Sequence, residues 1–303
     1  MEVVDTQVHL NRLLGDWESA DNGDLIERSL CAMDAVGVDA ALIDERTFHV
    51  PGGPERDMRI LPNGAIQYLT PFGEMAVERH PDRFAYLSRI DRRDPDYRDR
   101  MVEVRDKPGA VCLRVQPTRG EAEPFARGDY IDYLEAAQEL GLPTFIWLDD
   151  RLDLLEAYLK RLPRLSLIVD HCGVKVPKAG DPADRAAQLD RVIALARYPN
   201  VSLKWCKAEN RISTQSYPYR DLWPQLRRVV DAFGAERVMW ASDATSTAKH
   251  HPWAQSLYAL RACDTLSETE KEWILGKSAR TILNWPAPKA APIPWQDRAA
   301  AQV

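Results

Sequence analysis

The 303-residue chain predicts a single (β/α)8 TIM barrel, and three observations carry that prediction. Short apolar runs alternate with longer amphipathic stretches, which is the pattern of βα units around a parallel sheet. Eight such units fit the length, since a barrel of eight units occupies about 250 residues. The first apolar run leads into Asp5-Thr6-Gln7-Val8-His9-Leu10-Asn11-Arg12, which contains no glycine. An open doubly wound sheet, the alternative, would place a glycine-rich phosphate loop there.

Val3 to Leu10 reads as the first strand and Leu25 to Val36 as its helix. Val38 to Ile43 is the second strand, followed by a long loop with Pro51-Gly52-Gly53-Pro54 and Pro62-Asn63-Gly64, then a helix ending near His80-Pro81. Phe84 to Leu87 is the third strand, Asp96 to Val104 a helix, and Ala110 to Val115 the fourth strand. Asp129 to Leu140 is amphipathic, and Gly141 stops it as a helix. Thr144 to Leu148 is the fifth strand, with a helix from Leu152 to Leu162. Leu165 to Val169 is the sixth, with a helix from about Pro182 to Arg197. Asn200 to Trp205 is the seventh, with a helix from Tyr219 to Phe233, and Arg237 to Ser242 is the eighth. Helical patterns from Trp253 to Leu283 complete a barrel domain of residues 1–285, and the Ala/Pro-rich residues 286–303 read as a loose tail.

A hydrophobic content of 45% and a charged content of 28% are ordinary for a folded domain. The net charge of −6 argues against nucleic acid as a partner, because phosphate binding needs excess Lys and Arg. No run is apolar enough to cross a bilayer, and Met1 to Asp5 enters a strand pattern without the layout of a leader. The five cysteines are odd in number and scattered, so reduced thiols in a cytoplasmic enzyme are expected.

Barrel enzymes place their chemistry at the C-terminal ends of the strands. Three strands end in groups able to bind a metal or move a proton. Asp5, Gln7 and His9 are two residues apart, so strict alternation puts all three on one face and Val4, Val8 and Leu10 on the other. The sixth strand is apolar until Asp170-His171, and the eighth until Ser242-Asp243. Singly, His9 reads equally as a hydrogen-bonded core histidine, and Asp170 and Asp243 as caps. Jointly they fall at strand ends that a barrel gathers at one mouth, which makes Asp243, His171 and His9 the catalytic candidates. Arg89, Arg114, Lys204, Lys207 and Arg211 lie at or just past strand ends. They are cations for an anionic substrate, with a solvated rim as the alternative. Gln7, Trp147 and Tyr217 complete the candidate substrate-binding set. Tyr217 reads equally as part of the run that starts the next helix. His49, His250 and His251, in loops after the second and eighth strands, read as surface residues.

Asp5-Thr6-Gln7-Val8-His9-Leu10, Val169-Asp170-His171-Cys172-Gly173 and Met239-Trp240-Ala241-Ser242-Asp243 resemble, in order and over nearly the whole chain, the motifs of the amidohydrolase-related branch of the amidohydrolase superfamily. The resemblance implies the barrel and a menu of reactions. That menu includes lactonases of sugar lactones or aromatic-degradation lactones, and decarboxylases and hydratases of aromatic-derived acids. The chain departs from the pattern at three points. Gln7-Val8-His9 stands where the family has His-x-His. Arg114 and Gln116 stand where binuclear members carry a lysine. Trp147-Leu148-Asp149 ends the fifth strand without a histidine. A two-metal site is therefore not expected. A single zinc or manganese ion on His9, His171 and Asp243 and a metal-free site are both open.

The expected activity is hydrolysis of a lactone ring on a small anionic substrate. Asp243 would be the general base, with His9 and His171 polarising the carbonyl directly or through one ion. A metal-dependent decarboxylase or hydratase on the same barrel, and a non-catalytic acid-binding barrel, are the alternatives. The sequence leaves the subunit count open, a homo-oligomer included.

Overall fold

The computed structural model describes residues 1–10, 22–45, 58–117, 120–148, 151–176, 183–244 and 252–288. The chain order begins β1 (Val4–Val8), α1 (Asn22–Val36), β2 (Ala40–Ile43), β3 (Met58–Ile60), β4 (Ile66–Tyr68), α2 (Pro71–Arg79), β5 (Phe84–Ser88) and α3 (Tyr97–Asp106). It continues with β6 (Ala110–Val115), α4 (Ala122–Arg127), α5 (Ile131–Glu139), β7 (Thr144–Ile146), α6 (Leu155–Arg161), β8 (Leu167–Val169) and α7 (Ala183–Ala194). Then come β9 (Val201–Cys206), α8 (Ala208–Arg211), α9 (Leu222–Phe233), β10 (Val238–Ala241) and α10 (Trp253–Arg261), before short helical turns from Glu268 to Ile282. Eight parallel strands pair in the order β1-β2-β5-β6-β7-β8-β9-β10. They form the (β/α)8 TIM barrel, nearly closed. Among the described residues no helix is long and apolar enough to cross a membrane.

Alternation along the strands sorts side chains into two layers. Val4, Leu42, Leu87, Phe145, Ile168 and Met239 fill the barrel interior, plugged from below by Ala279, Leu283 and Trp285. Ala41, Ile43, Leu113, Ile146, Val169, Leu203 and Trp240 point outward and pack with Ile26, Met33, Leu134, Leu226 and Val229 from the helices.

Two features depart from the sequence reading. The stretch before α2 carries a small antiparallel hairpin, β3 with β4, where a loop was expected. Three-residue strands are too short to show a period. This hairpin is held instead by Ile66 N–H donating to Asp91 (2.9 Å) and Asn63 donating to the Arg93 carbonyl (2.7 Å).

The second departure is in β1. Asp5 pairs with Ala41 and Val8 with Ile43, so the strand spends one extra residue between them and the alternation breaks. Asp5 therefore faces outward with Ala41, while Gln7 and His9 reach the cavity. Asp5 is the latch of the barrel seam. Its carboxylate accepts from Ser242 N–H (3.0 Å), the Ser242 hydroxyl and Trp253 Nε1 (2.8 Å). Beside it Thr6 Oγ1 donates to the Trp240 carbonyl at 2.7 Å, and Asp243 N–H to the Gln7 carbonyl at 3.0 Å.

Burial pushes the Asp5 carboxyl up to about 6, against the lowering effect of those donors. The folded state thus holds a proton that the unfolded chain has released, and this stabilisation is lost as pH rises through 6. Between pH 5 and 7 the loss is about 1 kcal/mol. Asp5→Asn lacks this slope, so the variant gains about 1 kcal/mol on the wild type between those pH values in urea titrations.

Candidate active site

The inward period of two carries past the apolar strand segments and turns polar at the barrel mouth. Leu42 leads to Asp44, Leu87 to Arg89, Cys112 to Arg114, Phe145 to Trp147, Ile168 to Asp170, and Ala241 to Asp243. Above them, beside His9 after the β1 bulge, lies a cavity of about 540 Å³. Gln7, His9, Arg89, Arg114, Trp147, His171, Lys207 and Asp243 are among its walls.

The floor of the site is a buried charge lattice. Arg114 bridges two carboxylates, giving one nitrogen to Asp44 and the other, Nη2, to Asp170 Oδ2 at 2.6 Å. Arg89 also binds Asp44, and it donates to the Glu45 carbonyl at 2.8 Å. Lys204 Nζ lies 2.6 Å from Asp170 Oδ1 and donates to the Gln7 side-chain oxygen. Burial alone would raise the Asp44 carboxyl, but Arg89 and Arg114, with His9 and Lys204, outweigh it and hold it at about 2. Burial would likewise raise Asp170, yet Arg114, His171 and Lys204 hold it well below the usual carboxylate range.

The upper tier is centred on Asp243. Each ring nitrogen of His9 faces an oxygen that can only accept: Nδ1 the Asp44 carbonyl at 2.5 Å, and Nε2 Asp243 Oδ1 at 2.9 Å. Lys207 Nζ lies 2.5 Å from Asp243 Oδ2, and His171 Nε2 lies 3.8 Å from the same oxygen. His171 Nδ1 is 2.8 Å from Asp170 Oδ1, so Nδ1–H donates to the carboxylate and Nε2 is left as an acceptor. Burial, working against Asp170, drives the His171 imidazolium down to about 3, so the ring is neutral near pH 7. Burial would raise Asp243, but His9, Lys207 and His171 hold it far below the ordinary range. The Trp147 ring packs 4.8 Å from His171, with the Arg114 guanidinium 5.5 Å from the indole.

Four residues at three successive strand exits take left-handed backbone: His171 (φ 51), Cys172 (φ 58), Lys207 (φ 58) and Asp243 (φ 50). Side chains with a Cβ adopt this region at a cost of about 1–2 kcal/mol each, and such strain gathers at working sites.

His9, His171 and Asp243 are brought together, and Gln7, Arg89, Arg114 and Trp147 share their cavity. Lys204 is wholly buried beneath it on Asp170, so its ammonium supports the floor instead of facing a substrate. Arg211 is buried too, and it donates to the Val174 carbonyl. Tyr217 is 46% exposed and does not line the cavity. The Asp221 carboxylate ties its loop to Ser213 Oγ (2.7 Å) and Thr214 N–H (2.7 Å). His49, His250 and His251 lie outside the described residues. Asp44 was not singled out from sequence, although Ala40-x-Leu42-x-Asp44 carries the same inward period.

The whole barrel, residues 4–285, matches the amidohydrolase family model. The chain belongs to the amidohydrolase family. Over 92 residues it is 37% identical to the L-fucono-1,5-lactonase of Burkholderia ambifaria, a match spanning 29% of this chain and 29% of that relative. Among solved structures it is similar to an amidohydrolase from Burkholderia multivorans with bound zinc (18% identity, TM-score 0.70, covering 94% of this chain and all of that one). It is also similar to a protein from Pseudomonas putida assigned as a 2-pyrone-4,6-dicarboxylic acid hydrolase (18% identity, TM-score 0.69, 94% and 98% covered). At that identity the two structures speak for the fold.

Whether this amidohydrolase suits a divalent ion can be judged from its donors. Among the described residues, ligand atoms of His171, Cys206 and Asp243 lie within 4.8 Å of one another, a group that could hold a metal. Both imidazoles also have Nδ1 held by an oxygen, as metal-ligating histidines do. The charges disagree with that assignment. The Lys207 ammonium is already on Asp243, and the Gln7 oxygen is turned to Lys204. An ion on His9, His171 and Asp243 does not fit this arrangement.

Proposed function

We propose that this amidohydrolase opens the lactone ring of a small carboxylate-bearing substrate. The observation that carries the reading is Asp243, a buried carboxylate kept ionised by an imidazole and an ammonium in the wall of a cation-rich cavity. The lining cations are Arg89, Arg92, Arg93, Arg114 and Lys207, and the lining acids Asp91, Glu121 and Asp243, five against three. Each of these cations is ion-paired, Arg89 and Arg114 with Asp44 and Asp170 beneath the cavity, and an anionic ligand would share their remaining N–H groups. Ile66, Tyr68, Ile90, Tyr130 and Trp147 offer apolar surface for a ring. The partial likeness to an L-fucono-1,5-lactonase supports the same reaction class.

In this reading Asp243 removes a proton from water, the oxygen of that water bonds to the ring carbonyl carbon, and the carbonyl π electrons move onto their oxygen. Collapse of the tetrahedral centre breaks the ring C–O bond, and the leaving alkoxide recovers the proton from Asp243. His9 Nε2, 2.9 Å from Asp243 Oδ1, orients the carboxylate. His171 presents an acceptor at Nε2, so it holds the water and does not polarise the carbonyl.

The test is an indicator assay of acid release over a lactone panel, with carbon dioxide release and metal content measured on the same sample. Acid from an anionic lactone without carbon dioxide is the expected result. Carbon dioxide from an aromatic acid, with no lactone opened, would replace this reading with the decarboxylase.

A further inference from the structure

Both oxygens of Asp243 are engaged by nitrogen, Oδ1 by His9 at 2.9 Å and Oδ2 by Lys207 at 2.5 Å. Lys207 reaches Asp243 from the residue immediately after β9, through left-handed backbone that turns the chain into α8. Its side chain is 19% exposed and lines the cavity, so a substrate can meet the ammonium, whereas Lys204 below is sealed off. The fixed charges around the site are already unbalanced. Arg89, Arg114, Lys204 and Lys207 are four cations against the three carboxylates Asp44, Asp170 and Asp243. A dication would add two charges to that excess, at low dielectric and within a few ångströms of Lys207. Gln7 offers no relief, because Lys204 holds its side-chain oxygen.

We propose that Lys207 is the resident cation of this site: its ammonium neutralises Asp243 where a divalent ion would otherwise sit, and it is the group that polarises the substrate carbonyl. The second half rests on the lactonase reading; the first does not. The coupling between the two roles is electrostatic. While Lys207 is on Asp243 the carboxylate is a weak proton acceptor. As charge grows on the carbonyl oxygen, the ammonium is shared with it and Asp243 becomes a stronger base. No proton leaves Lys207 in this scheme.

The test equilibrates the full-length protein with excess zinc chloride, desalts it, and measures zinc per chain by elemental analysis and zinc affinity by calorimetry. The proteins are the wild type, Lys207→Met and Lys207→Asn, the last because asparagine tolerates the left-handed backbone. The wild type should retain well under one zinc per chain, and both variants should bind zinc at least about 100-fold more tightly. Retention of one zinc by the wild type overturns the proposal even where a variant fails to fold. Zinc binding that is unchanged in folded variants, whether present in all or absent from all, overturns it too. On any lactone the wild type opens, Lys207→Met should lower kcat at least about 100-fold, with partial recovery in Lys207→Arg. An unchanged kcat would remove the carbonyl role. A protein that opens no lactone refutes the lactonase reading and leaves the zinc comparison to decide the rest.

Discussion

Asp243→Asn is expected to lower turnover by about 10²–10⁴-fold, the usual contribution of a positioned base, with the fold intact. The substitution removes the carboxylate held between His9 and Lys207 in the cavity wall while keeping the side-chain shape. Asparagine tolerates the left-handed backbone that Asp243 holds at φ 50, so the chain geometry survives. The amide keeps one acceptor, which the buried His9 Nε2 claims, and the partly exposed Lys207 turns toward solvent. The seam bond from residue 243 N–H to the Gln7 carbonyl is a backbone bond and is unaffected. Initial rates and thermal melts on the same preparation separate lost chemistry from lost folding. A variant that melts like the wild type and retains more than half its rate takes Asp243 out of the mechanism.

The barrel and the residues that meet at its mouth were legible because both follow from period. Apolar alternation marks each strand, and the first polar residue on the inward phase marks the mouth, as Ile168 then Asp170 and Met239, Ala241 then Asp243 show. Asp44 obeys the same rule after Leu42. A lone aspartate at a strand end reads equally as a cap, so no histidine drew attention to it. Strict alternation puts Asp5 on the wrong face, because a bulge leaves no mark in composition and one inserted residue reverses every side chain that follows. Pairing was the least legible feature. Lys204 and Lys207 are three residues apart and chemically alike, yet the strand points one at the floor and the turn after it points the other at Asp243. Only the closed sheet shows that Arg114 is already committed to two acids.

That commitment makes Arg114→Met the largest expected loss of stability, about 3–5 kcal/mol in urea or thermal unfolding, out of a total of about 5–15 kcal/mol. Methionine fills much of the volume but leaves two completely buried carboxylates short of a partner: Asp44 keeps Arg89, and Asp170 keeps Lys204. Arg114→Lys does not rescue the fold. The guanidinium reaches Asp44 with one nitrogen and Asp170 with the other, and a single ammonium cannot span both. The pH dependence fixes the cause. Asp44 is held at about 2 and Asp170 well below its ordinary value, so their stabilisation is complete above about pH 4 and is lost as pH falls toward 2. The variant lacks most of that stabilisation. Its deficit against the wild type is therefore greatest at neutral pH and narrows through that acid window. Asp170→Asn in the Arg114→Met background should recover part of the loss, because it removes one stranded charge. A single-variant loss below about 1 kcal/mol, or a deficit that stays constant from pH 7 to 3, would mean that the floor of the site is held by packing and not by the bridge between Asp44 and Asp170.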